Sequence, residues 1–106
     1  MQSAIEGNGP LTEKEIRQGR KRWQPVGPTT QAISPEWPPP HQLSVAEIHD
    51  VVGSFAAAAR RAVRVGFDVV EIHAAHGYLL ASFLSPVSNT RNDAYGGDIK
   101  GRMRFP

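Results

Sequence analysis

The sequence predicts an α/β chain built around one helix–strand unit, and three observations carry that prediction. Ser44-Val45-Ala46-Glu47 opens a long amphipathic run, Gly66 closes it, and Phe67-Asp68-Val69-Val70-Glu71-Ile72-His73 follows at once, short and rich in β-formers. A helix fed tightly into such a strand is the αβ half of a βαβ unit, the repeating piece of parallel-sheet proteins.

Taken from the start, Met1–Gly9 is polar and lacks the apolar stretch of a signal peptide. Thr12 followed by Glu15 is a capping box, which satisfies two orphan backbone donors and predicts a short helix to about Gln18, stopped by Gly19. Residues 19–43 hold Pro25, Pro28, Pro35 and the run Pro38-Pro39-Pro40 and show no sustained period of 2 or 3.6, so they read as an extended arm. Residues 1–43 are therefore set apart as an N-terminal arm, and 44–106 as the segment that carries the regular elements.

Ser44 and Glu47 form the second capping box. In the helix that follows, Ile48, Val52, Phe55, Ala59, Ala62 and Val63 recur at helical spacing, with His49, Asp50, Arg60, Arg61 and Arg64 on the wetter side. Gly66 suits the left-handed conformation common just past a helix end. Along the predicted strand 67–73, Val70 and Ile72 point one way, and Val69, Glu71 and His73 the other. Glu71 then faces a sheet interior and calls for a basic partner. Parallel strands need neighbours, which are expected from outside this sequence. Tyr78–Leu84 makes about two helical turns before Ser85-Pro86, the stretch Ser88–Gly97 is an ordered polar loop, and Asp98 caps a further helix from Ile99.

Composition excludes several function classes. Lys and Arg number 12 against 10 Asp and Glu, a balance too even for a dedicated nucleic-acid or membrane partner. The one basic cluster, Arg17-Gln18-Gly19-Arg20-Lys21-Arg22, precedes Trp23 and could touch phosphate, although short basic runs are usually solvated surface. With no cysteine, a disulfide framework and a thiolate site are both excluded, which fits a reducing, cytoplasmic setting.

The chemistry-bearing stretch is Glu71-Ile72-His73-Ala74-Ala75-His76-Gly77-Tyr78. Two imidazoles and a phenol sit just beyond the C-terminal end of the predicted strand, where barrel enzymes place reacting groups. Both imidazoles can donate to an oxyanion, and a phenol can deliver a proton. The alternatives are structural: each ring bonded to backbone, and Tyr78 half-buried with its hydroxyl at the surface. Zinc is disfavoured because no third ligand stands at a suitable spacing.

His73-Ala74-Ala75-His76-Gly77-Tyr78-Leu79-Leu80, then Phe83-Leu84-Ser85-Pro86, then Ser88-Asn89-Thr90-Arg91-Asn92-Asp93-Ala94-Tyr95-Gly96-Gly97, closely resembles the signature of Old Yellow Enzyme-type NAD(P)H:flavin oxidoreductases, in the branch of the bacterial xenobiotic reductases. Pro10-Leu11-Thr12, Val26-Gly27-Pro28, Trp37-Pro38 and the helix from Ser44 look like the same family's arm and third barrel helix. The likeness covers nearly all of this chain and only part of the family's length.

The resemblance implies a fragment of a (β/α)8 TIM barrel: about one αβ unit, the arm and the active-site loop. It implies FMN at the barrel's C-terminal mouth and NAD(P)H as reductant of the flavin, whose hydride goes to an activated alkene. Carried over by position, His73 and His76 grip the substrate's carbonyl or nitro oxygen, and Tyr78 is the catalytic proton donor. Arg91, Asp93, Tyr95, Gly96 and Gly97 are read as architectural. Residues contacting the flavin stay unassigned, and no residue is assigned to a metal.

One departure is local: after its Gly-Gly the family continues with Ser and a Glu-Asn-Arg run, whereas this chain has Asp98, Ile99, Lys100, Gly101 and Arg102, which is expected to weaken the helix that starts there. Whether the chain acts as an enzyme is left open by the missing flavin site. Two other readings stand beside the oxidoreductase: a non-catalytic remnant that associates with a homologous barrel, and a small basic module using Arg17–Trp23.

Overall fold

The computed structural model describes residues 10–106, so the polar Met1–Gly9 start lies outside the described residues. The elements run α1 (Glu13–Arg17), β1 (Val26–Gly27), β2 (His41–Gln42), α2 (Val45–Arg64), α3 (Leu79–Leu84) and α4 (Ile99–Arg102).

Both capping boxes form. Thr12 accepts from the Glu15 amide, and the Glu15 carboxylate takes the Thr12 amide at 2.9 Å. Ser44 and Glu47 do the same at the start of α2, with the Ser44 amide 2.8 Å from the Glu47 carboxylate. That carboxylate also meets the His41 ring at 2.8 Å. These bonds, those from Ser44 first, hold the Glu47 carboxyl down to about 2.

At its other end α2 finishes in a Schellman motif. Gly66 takes φ 93°, its amide reaches the Val63 carbonyl, and the Phe67 amide reaches Ala62. Asp98 caps α4 by accepting from the Gly101 amide at 2.9 Å.

Within the extended arm, β1 and β2 pair in parallel, Val26 opposite His41 and Gly27 opposite Gln42. The non-proline amides of His41 and Leu43 find the carbonyls of Pro25 and Gly27, at 2.8 and 3.0 Å, and so pin both ends of the proline-rich excursion. The predicted strand 67–73 does not form, because a strand is defined by its ladder and β1–β2 is the only ladder among the described residues. Glu71 and His73 are exposed there.

The core comprises Leu43, Ile48, Leu80, Phe83, Tyr95 and Phe105, with Val51 and Leu79 packed against it. Phe83 and Phe105 meet edge to face with centroids 4.6 Å apart, a favoured aromatic geometry. This core covers only the first turns of α2. Farther along, Val52, Phe55 and Val63 of its predicted apolar face stay open to solvent, as do Val69, Val70 and Ile72.

Gly101 is also corrected. A Cβ at this position would stand 2.0 Å from the Gly96 carbonyl oxygen, and one at Gly96 would stand 2.2 Å from that of Arg91. The two backbones approach so closely that glycine is demanded by packing, whatever its cost to helix propensity.

Candidate functional site

The polar loop after α3 is an ordered scaffold. Asn89, 3% exposed, donates its amide hydrogens to the carbonyls of Phe83 and Tyr95 at 2.7 and 2.8 Å, while its side-chain oxygen takes the Arg91 amide. Arg91 is buried beside it. Its guanidinium donates to the carbonyls of Pro28 and Leu43 at 3.0 and 2.6 Å and grips the Asp93 carboxylate through two nitrogens. Asp93 also accepts from the Tyr95 amide, and the hydrogen bond from Arg91 is the main cause of its lowered pKa. Thr29 adds a second tie between arm and loop, its hydroxyl donating to the Ser88 carbonyl at 2.9 Å. The Tyr95 hydroxyl pairs with the His49 ring at 2.9 Å, which joins the loop to α2.

On this scaffold sits the turn Ala75-His76-Gly77-Tyr78. The Tyr78 amide reaches back to the Ala75 carbonyl at 3.2 Å, and both central residues take positive φ, 55° at His76 and 71° at Gly77. Gly77 adopts that region freely. His76 does so as the only non-glycine residue with positive φ among the described residues. Such a conformation persists only where its surroundings hold it, and it clusters at functional sites.

The turn brings the three sequence-predicted site residues into one group. The His73 ring lies 5.3 Å, centroid to centroid, from His76 and 5.3 Å from Tyr78. All three side chains are exposed, so two imidazoles and a phenol share one accessible face. Hydrogen-bond donors converging on a surface of this kind can hold an oxygen that gains negative charge and can return a proton nearby.

Beside the turn lies a cleft of about 710 Å³ that the arm also lines. His76, Gly77, Tyr78 and Leu79 line it from the turn, and Trp23, Val26, Pro28, Ile33 and Trp37 from the arm. Sequence reasoning missed this wall. The arm lies some 40 to 60 residues from the turn in the chain, and no local pattern announces such an approach; the single signal was the pairing of Trp with Pro at 37–38.

FMN needs an anion cradle for its phosphate and a bed for its ring. Among the described residues the buried cation, Arg91, is taken up by Pro28, Leu43 and Asp93, and α4 spends its N-terminus on Asp98. These residues do not form an FMN site by themselves. No group of three or more His, Asp or Glu side chains is placed to hold a metal among the described residues, and no helix is long and apolar enough to cross a membrane.

Comparison with known proteins gives a consistent result. Residues 7–106 match the profile of the NADH:flavin oxidoreductase / NADH oxidase family. The chain is 48% identical over 82 residues to an NADPH dehydrogenase of Clostridium acetobutylicum, covering 77% of this chain and 24% of that protein. It is 40% identical over 115 aligned residues to an NADPH dehydrogenase of Bacillus subtilis, covering 95% of this chain and 34% of that one. Among solved structures it is similar to morphinone reductase in complex with tetrahydroNAD, with a TM-score of 0.74, 37% identity, and coverage of 79% of this chain and 27% of that one. It is likewise similar to 2-naphthoyl-CoA reductase, with a TM-score of 0.73, 36% identity, and coverage of 77% and 13%.

The chain thus spans about a quarter to a third of the length of these two dehydrogenases. It has the architecture of part of a (β/α)8 barrel and belongs to the NADH:flavin oxidoreductase / NADH oxidase family, whose flavin is FMN and whose reductant is NAD(P)H.

Proposed function

We propose that this chain supplies the substrate side of an FMN-dependent, NAD(P)H-driven reductase of activated carbon–carbon double bonds, as a fragment of a longer barrel that holds the flavin elsewhere. The supporting observation is the turn at 75–78, where His73, His76 and Tyr78 gather on one exposed face beside a cleft. In this reading His73 and His76 donate to the carbonyl or nitro oxygen of the substrate. That oxygen gains negative charge as a hydride reaches the β-carbon, so the two donors stabilise the transition state more than the ground state. The Tyr78 hydroxyl then delivers a proton to the α-carbon, and the alkene has gained one hydride and one proton.

The histidine role is tested in a full barrel. Residues 10–106 replace the matching segment of the Bacillus subtilis NADPH dehydrogenase, and phenolate ligands are titrated through their long-wavelength charge-transfer band with the flavin. His73→Ala and His76→Ala are each expected to weaken phenol binding by about 1 to 3 kcal/mol, the range for removing one partner of a charge-assisted hydrogen bond. Unchanged affinity in both variants would remove the oxyanion grip from the account.

A further inference from the structure

The cleft beside the turn has a volume of about 710 Å³, within the ~300–1,000 Å³ of sites that enclose a drug-sized molecule. Its lining joins two distant parts of the chain: the turn, through His76 and Tyr78, and the arm, whose wall is apolar, with Pro28, Ile33, Trp37 and Pro38 lining the same space.

The wall is also fixed. Proline holds φ without further ordering cost, and β1–β2 pairing pins both ends of the excursion. The Trp37 amide closes a turn onto the Ser34 carbonyl at 3.1 Å. Arg91 through Pro28, and Ser88 through Thr29, tie the arm to the loop that follows the catalytic turn. On this tied frame Ile33 is left 87% exposed, an apolar side chain held at the edge of the cleft without a partner in the core. An apolar surface held in place before binding adds affinity without a further ordering cost.

We infer that the proline-rich arm is the specificity wall of the site, and that Trp37 and Ile33 select flat, apolar, multi-ring carbonyl compounds over single-ring ones. This rests on the function proposed above, because an oxygen held at His73 and His76 is what aims the remaining rings at the arm. Trp37 offers the rings a planar face, and Ile33 closes the far edge.

The test uses the same flavin-loaded barrel carrying residues 10–106, with phenol as the single-ring probe and 2-naphthol as the two-ring probe. Both are read by the charge-transfer band, and flavin content certifies that each variant is folded. The unmutated barrel is expected to prefer 2-naphthol. Trp37→Ala should lower that preference about tenfold, as lost apolar contact would, and Trp37→Phe should restore most of it. Ile33→Ala changes an exposed side chain that carries no core packing, and it should lower the preference in the same direction even if Trp37→Ala fails to hold flavin. A preference unchanged in both Ile33→Ala and Trp37→Ala, with both phenols still binding, overturns the specificity wall alone. Equal weakening of both probes makes Trp37 a structural residue and also overturns it. An unmutated barrel that holds flavin yet binds neither probe overturns the oxyanion grip beneath the inference.

Discussion

Arg91 holds three stretches of chain with one guanidinium: the arm at Pro28, the entry to α2 at Leu43, and its own loop at Asp93. Replacing it with Ala leaves two buried carbonyls without a donor, at about 1 to 3 kcal/mol each. The urea midpoint of the flavin-loaded barrel should fall accordingly. Asp93 adds a pH dependence whose sign follows from its lowered pKa. Its contribution is fully present above the ordinary carboxylate range and is lost as pH falls through the lowered value, because the folded state must then give up a charge it favours. Asp93→Asn should flatten the acid limb of a stability–pH curve while leaving its neutral limb parallel to the parent's. The residue types in this loop were legible as architecture from the sequence. The reach of Arg91 was not, because its partners at Pro28 and Leu43 lie 63 and 48 positions away.

At the scale of elements, what was readable depended on how local the signal is. Both capping boxes, the Gly66 stop and the Asp98 cap each involve a few neighbouring residues, and each appears where the pattern placed it. The strand over 67–73 failed for the opposite reason, since its hydrogen bonds must come from other strands. Gly101 marks a third case, in which a propensity argument pointed away from a packing requirement. Gly101→Ala pushes a methyl group to within 2.0 Å of the Gly96 carbonyl oxygen as the backbone now stands. It should cost about 1 to 3 kcal/mol, as overpacking does, despite the better helix propensity of Ala. Thermal unfolding of the barrel with and without this change gives the sign directly: a raised Tm would contradict the close approach seen between α4 and the Gly96–Gly97 turn.

As a whole molecule, the chain is open. Its radius of gyration is 15.9 Å, against about 13 Å for a compact domain of 100 residues, and one principal dimension is only 23 Å. Val52 and Phe55 on the long helix, and Val69, Val70 and Ile72 in the segment that follows it, are apolar side chains left exposed, as expected of a helix and a strand segment without a parallel sheet to pack into. The isolated 106-residue chain is accordingly expected to retain no FMN through gel filtration, and co-elution of stoichiometric flavin would contradict that. In the function proposed above, His73, His76 and Tyr78 work on the substrate and not on the flavin's own reduction. Tyr78→Phe in the barrel carrying residues 10–106 separates the two, by stopped-flow measurement of the two half-reactions. Reduction of the flavin by NADPH should keep its rate, while reoxidation by a simple enone slows by about 10²- to 10⁴-fold, the usual worth of a positioned acid. A nitro-alkene, whose nitronate product can leave unprotonated, should still reoxidise the flavin readily. Enone reoxidation as fast in the variant as in the parent would contradict the account, leaving Tyr78 as a packing residue and the proton to another source.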